Sequence, residues 1–161
     1  MEALVRVALG VLLALPLASC SRAIDLTEAL QVEAVSSGWL DAGTVYGKKK
    51  LVPSVSVRLT NTSNQTLPVL QVNALFRRTG DSDEWGSAFL AAVGSEGLSP
   101  RATTKTLALE SQLGYTGEES GTDMLHNSRF VDARVDLFAR YGSSQWVRIG
   151  AYPITRQLIA R

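Results

Sequence analysis

Ser54-Val55-Ser56-Val57-Arg58-Leu59-Thr60 alternates polar and apolar side chains without a break. Successive side chains of a strand point to opposite faces, so Val55, Val57 and Leu59 share one face and Ser54, Ser56, Arg58 and Thr60 the other. The run stops at the polar turn Asn61-Thr62-Ser63-Asn64-Gln65. Beyond it Leu70, Val72, Ala74 and Phe76 alternate with Gln71 and Asn73, and that run closes at Thr79-Gly80-Asp81. The two runs are expected to form a hairpin, or neighbouring strands of one sheet.

The same pattern recurs along the chain. Trp85 to Val93 is an apolar strand followed by a turn from Gly94 to Pro100, and Thr104 to Leu109 is rich in β-favouring residues. Val131, Ala133, Val135, Leu137 and Ala139 alternate with Asp132, Arg134, Asp136 and Arg140; after Gly142-Ser143-Ser144, Trp146 to Ile154 returns as the last long strand. Leu26 to Val35 carries two patterns. Ile24, Leu26, Leu30, Val32 and Ala34 fit a strand broken at Glu28, whereas Leu26, Ala29, Leu30, Glu33 and Ala34 fit a helix face behind an Asp25/Glu28 capping box. The strand is preferred because everything downstream is β-like. About six to eight short strands between Gly, Ser, Asn and Asp turns predict a mainly β chain, a single antiparallel sandwich or barrel. Trp39, Trp85, Trp146, Phe76, Phe89, Phe130 and Phe138 fall on different segments and are expected to fill the core or its ends, with one or two left as interface anchors.

The N-terminus has a different character. Arg6 ends a short charge-bearing leader, and Val7 to Leu17 is an apolar run well short of the roughly 20 residues a membrane-spanning helix needs. It leads into Leu17-Ala18-Ser19-Cys20, which holds the only cysteine of the chain. This segment resembles the signal peptide of bacterial lipoproteins, whose lipobox is Leu, two small residues and Cys. The resemblance implies cleavage before Cys20, lipidation of its thiol and acylation of the new amino group. It also implies a chain organised as signal peptide 1–19, lipidated cysteine and short tether 20–25, and a single β-sandwich domain 26–161. Each buried methylene stabilises attachment by roughly 0.8 kcal/mol, so two or three acyl chains hold firmly where one does not. In enteric-type lipoproteins an Asp after the cysteine favours the inner membrane. Ser21 therefore resembles the outer-membrane case, at the periplasmic face.

Leu51 to Ser63, with Leu67 and the alternating strand to Phe76, is similar to small immunoglobulin-like bacterial domains, including the FxLYD-type sandwiches, where a strand ends at an Asn-containing turn. The stretch nearest to the FxLYD signature itself is Val135-Asp136-Leu137-Phe138-Ala139. The resemblance implies an immunoglobulin-like β-sandwich and brings no catalytic residues with it.

Composition narrows the function. Sixteen Lys and Arg against fifteen Asp and Glu give a net charge of +1, unlike the concentrated basic face that nucleic acid requires. Lys48-Lys49-Lys50 is expected to be a solvated turn beside a strand, with anionic headgroups or peptidoglycan as the alternative partner. With one histidine and a committed cysteine, no metal or other cofactor is expected. Asp81-Ser82-Asp83-Glu84-Trp85-Gly86 opens like a calcium loop but has Trp85 at the fifth position and Ala92 at the twelfth. Asp123, His126 and Ser128 are close in sequence, yet a triad is assembled from separated segments; a short helical turn capped by Asp123 is the simpler expectation. The chain is thus expected to work by binding rather than catalysis, as an envelope accessory lipoprotein contacting another envelope protein. The alternative is a carrier of a small or lipidic ligand for a transport system. Gly114 to Asn127, the longest irregular stretch, is where partner contact is expected, through Tyr115, Glu118, Glu119 and Met124, because binding residues favour loops on a rigid scaffold. A plain connecting loop is the alternative.

Overall fold

The computed structural model of the chain describes residues 23–160. The proposed signal peptide and Cys20 lie outside them. The described chain runs α1 (Leu26–Ala29), β1 (Leu30–Val45), β2 (Lys48–Asn61), β3 (Leu70–Arg78), β4 (Gly86–Ala91), β5 (Leu107–Glu110), β6 (Tyr115–Gly117), α2 (Gly121–His126), β7 (Ala133–Tyr141), β8 (Val147–Pro153) and β9 (Leu158–Ile159). The fold is mainly β. One sheet has the order β5-β2-β1-β9, with β6 also on β2; the other has the order β4-β3-β7-β8. The two pack as a β-sandwich-like pair, and all pairings are antiparallel except the short parallel pair β1–β9.

The alternation read from the sequence gives the inner faces. Val55, Val57, Leu59, Leu107 and Leu109 from one sheet meet Leu70, Val72, Ala74, Phe76, Val135, Leu137 and Ala139 from the other in one buried cluster. Each Val, Leu or Phe among them contributes roughly 1.5–3 kcal/mol on burial.

Two expectations need correction. Leu26–Ala29 is a helical turn and not the start of a strand: the Asp25 carboxylate accepts the Thr27 amide at 2.9 Å and its hydroxyl at 2.7 Å. That cap makes a single turn bury Leu26 and Ala29 together before β1 begins at Leu30. Nor are the two founding runs a hairpin or sheet neighbours, because β2 and β3 belong to different sheets. The polar turn between them is an inter-sheet corner. Fully buried Asn61 donates from Nδ2 to the carbonyls of Gln65 and Leu98, both at 2.8 Å, and its Oδ1 accepts the Ser63 amide at 3.0 Å. Buried Leu67 then bridges to Leu98 and carries the chain across.

β1 extends ten residues past the predicted Val35. A bulge between Ala34 and Ser36 reverses which residues face inward: Leu30, Val32 and Ala34 pair with Asn61, Leu59 and Val57, whereas Ser37 and Trp39 pair with Val55 and Pro53. The reversal brings Trp39 into the core, where it is fully buried.

Candidate functional site

The stretch after β5 is folded rather than loose. Gly114 passes so close to β2 that a Cβ there would lie 1.9 Å from the Leu51 carbonyl oxygen, so only glycine permits the approach. This close contact seats β6 on β2, with Lys49 opposite Gly117, Lys50 opposite Thr116 and Leu51 opposite Tyr115. The chain then turns into α2, whose cap is Ser120 and not Asp123: the Ser120 hydroxyl accepts the Asp123 amide at 3.2 Å and donates to the Asp123 carboxylate at 2.5 Å. Asp123 occupies the first turn, where a carboxylate suits the helix dipole. α2 buries Met124 and Leu125, and Met124 lies against Gly117.

These elements frame a cleft of about 430 Å³. Tyr115, Glu118, Glu119 and Met124, the four residues singled out from the sequence, all line it, together with Lys48, Thr116, Gly117, Asn127, Arg129 and Phe130. Asn127 ends the segment in which contact is expected and Lys48 belongs to the lysine run, whereas Arg129 and Phe130 lie outside both. The lysine run was visible, but the pairing of β2 with β6 that brings Lys48 to the cleft leaves no periodic signal.

The floor is aromatic. Tyr115 packs on Phe130 at 4.9 Å between ring centroids, on Trp85 at 4.8 Å and on Trp39 at 5.7 Å, and Trp39 meets Phe130 edge-on at 4.7 Å. Arg156 clamps this floor from one side. Its guanidinium lies 5.2 Å from the Phe130 ring centre and donates to the Phe130 carbonyl at 2.8 Å and to Asp132 at 2.5 Å. The Tyr115 hydroxyl donates to the Val131 carbonyl at 3.2 Å. Burial pushes the Tyr115 phenol above its ordinary pKa, against the opposing charge of Arg78.

The rim is charged and mixed in sign. Lys48 pairs with Glu118 at 3.5 Å, and Asn127 reaches Glu119 at 3.5 Å. Arg129 has no ion-pair partner among the described residues. Such a cleft can hold an apolar group on its floor and orient polar groups at its edge.

The other sequence candidates fall elsewhere. Each lysine of the cluster is engaged: besides Lys48, Lys49 pairs with Asp41 at 3.0 Å, and Lys50 keeps its charge while donating to the Gln112 carbonyl at 2.9 Å. In the 81–86 loop, Asp81 pairs with Arg78 at 2.8 Å and Ser82 accepts from Arg77. His126 Nδ1 lies 2.8 Å from the Thr122 carbonyl oxygen, so it is engaged by its own helix and Asp123 by the cap. Among the described residues no three His, Cys, Asp or Glu side chains gather as a metal site, and no helix is long and apolar enough to cross a membrane.

No protein-family model matches the chain, and no curated protein matches it. Among solved structures it is similar to the X-ray structure of Northeast Structural Genomics Consortium target SoR45, at 12% identity and a TM-score of 0.44, over 81% of this chain and 89% of that one.

Proposed function

We propose that this chain is a lipid-anchored accessory protein of the bacterial cell envelope, an immunoglobulin-like sandwich that binds a polypeptide partner without catalysing a reaction. The observation that carries the reading is the cleft between β6 and α2, where an aromatic floor lies inside a rim of Lys48, Glu118, Glu119 and Arg129. Aromatic anchors surrounded by polar groups are the usual anatomy of a protein-binding hot spot. The anchoring part rests on the lipobox ending at Cys20.

The volume of about 430 Å³ also falls in the range of small-molecule sites, which favours the carrier as the second reading. Four charged side chains on the lining speak against an acyl chain, which needs a continuous apolar wall.

Two variants test the proposal in intact cells. Cys20→Ala is expected to abolish labelling by a palmitate analogue; equal labelling of wild type and variant removes the lipid anchor. Tyr115→Ala with Glu119→Ala is expected to deplete the crosslinked partners of the folded protein. An unchanged set removes the cleft from consideration, and lipid co-purifying with wild type in its place establishes the carrier.

A further inference from the structure

The sheet β4-β3-β7-β8 contributes nothing to the cleft, and its outer face has a composition of its own. Cross-strand partners share a face, so the register Phe89–Asn73–Phe138–Arg148 runs across it as one row and Ala91–Gln71–Arg140 as the next. Leu75 and Asp136 share a further row, and Arg77 and Arg134 face each other beyond it. Four arginines and one acid therefore lie on this face, a local charge of +3. Residues 23–160 carry a net charge of −1, so the described residues outside this face sum to −4.

Two of the arginines are internally committed. Asp136 is buried between Arg77 and Arg148, accepting from the Arg77 guanidinium and from Arg148 at 2.6 Å. Arg140 is held differently. Its guanidinium carbon lies 4.8 Å from the centre of the Trp146 ring, and its Nε donates to Gln71 at 2.6 Å. Both terminal nitrogens lack a hydrogen-bond partner among the described residues and remain open to solvent. A guanidinium fixed by stacking and by one hydrogen bond, with its outer fork free, loses little freedom when it takes a carboxylate in a bidentate pair. Beside it Phe89, 60% exposed, and Trp146, 37% exposed, meet edge-on at 6.2 Å. Large aromatics exposed together with Arg are the residue types that dominate protein-binding energetics.

We propose that the outer face of β4-β3-β7-β8 is a docking surface for an acidic polypeptide, with Arg140 as the receptor for a carboxylate and Phe89 and Trp146 as the apolar contact beside it. The charge of the face selects the occupant. Nucleic acid is disfavoured because only Arg134 and Arg140 on this face are free of an acidic partner, whereas phosphate-backbone binding typically uses about 6–10 such contacts. The proposal is independent of the lipid anchor and of the cleft.

The test uses the full chain and a synthetic acetylated, amidated peptide of sequence Leu-Glu-Phe-Glu-Leu, with a counterpart carrying Gln for both Glu. Binding is followed by chemical-shift titration, which also reports that each variant is folded. The Glu peptide is expected to bind at least about tenfold more tightly than the Gln peptide, as the loss of one charge-assisted pair implies. Arg140→Ala is expected to erase that preference, and Arg140→Lys to restore it only in part because an ammonium lacks the fork. Lys105→Ala, which removes an exposed charge away from this face, is expected to leave it intact. Equal affinity for the two peptides, no binding of either, an unaffected Arg140→Ala variant, or tighter binding of an oligouridine than of the Glu peptide would each overturn the proposal.

Discussion

Asn61→Ala is expected to weaken the fold far more than its small change of volume suggests. The Asn61 side chain holds the corner at which the chain leaves one sheet for the other, through two donated bonds at 2.8 Å and two accepted, from the Ser63 amide at 3.0 Å and the Ser63 hydroxyl at 2.7 Å. The hydroxyl keeps the Gln65 carbonyl at 3.0 Å as another acceptor, so at about 1 kcal/mol net for each of the other three bonds the loss is about 3 kcal/mol. The Leu98 carbonyl keeps a second donor in the Leu67 amide at 3.0 Å, which limits the penalty for a stranded acceptor. With a urea m-value of about 2 kcal/mol/M, the midpoint followed by tryptophan fluorescence should fall by about 1.5 M. Asn64→Ala, at an exposed position of the same turn, should move it by no more than about 0.5 kcal/mol. If Asn61→Ala shifted the midpoint as little as Asn64→Ala, the corner would not depend on Asn61.

Further outcomes follow from the same geometry. Val57→Asp places a carboxylate at a fully buried position and should cost several kcal/mol, whereas Arg58→Ala loses only an exposed pair to Glu33 worth up to about 1 kcal/mol; chemical denaturation separates them. Gly114→Ala drives a Cβ into the Leu51 carbonyl and should cost about 2 kcal/mol, with the largest amide shifts in β6. Burial pushes the Asp136 carboxyl upward, but the hydrogen bond from Arg148 and the charges of Arg148, Arg77 and Arg134 outweigh it and hold the carboxyl below its ordinary value. A depressed folded-state pKa gives stability that is present above the unfolded value, near 3.9, and lost as pH falls through the folded one. The destabilisation by Asp136→Asn should therefore be largest at pH 7 and shrink below about pH 4, as pH-dependent denaturation would record.

The fold was legible wherever the period of two ran unbroken. Val55 to Leu59, Leu70 to Phe76 and Ala133 to Ala139 face the core as their alternation predicts. It was hidden where one residue broke the count. The bulge at Val35 shifts the inward set from even to odd positions, so Ser36 to Val45 shows no continuous alternation although it is strand. Sheet membership was invisible for another reason: alternation specifies a face but not a neighbour, and the Asn61 corner and a hairpin turn share the same polar composition. In the cleft, Tyr115, Glu118, Glu119 and Met124 were found through their irregular, glycine-bearing segment. Lys48 and Phe130 were not, since β-pairing brings Lys48 to the cleft and Phe130 resembles any core aromatic.

A photocrosslinking amino acid placed at Thr116, on the cleft wall, and separately at Lys105, exposed outside it, tests the central claim in intact cells. The account predicts a discrete adduct with another polypeptide from position 116 that position 105 does not give and that Tyr115→Ala with Glu119→Ala suppresses. The same adduct from both positions, or no polypeptide adduct from position 116, would contradict it.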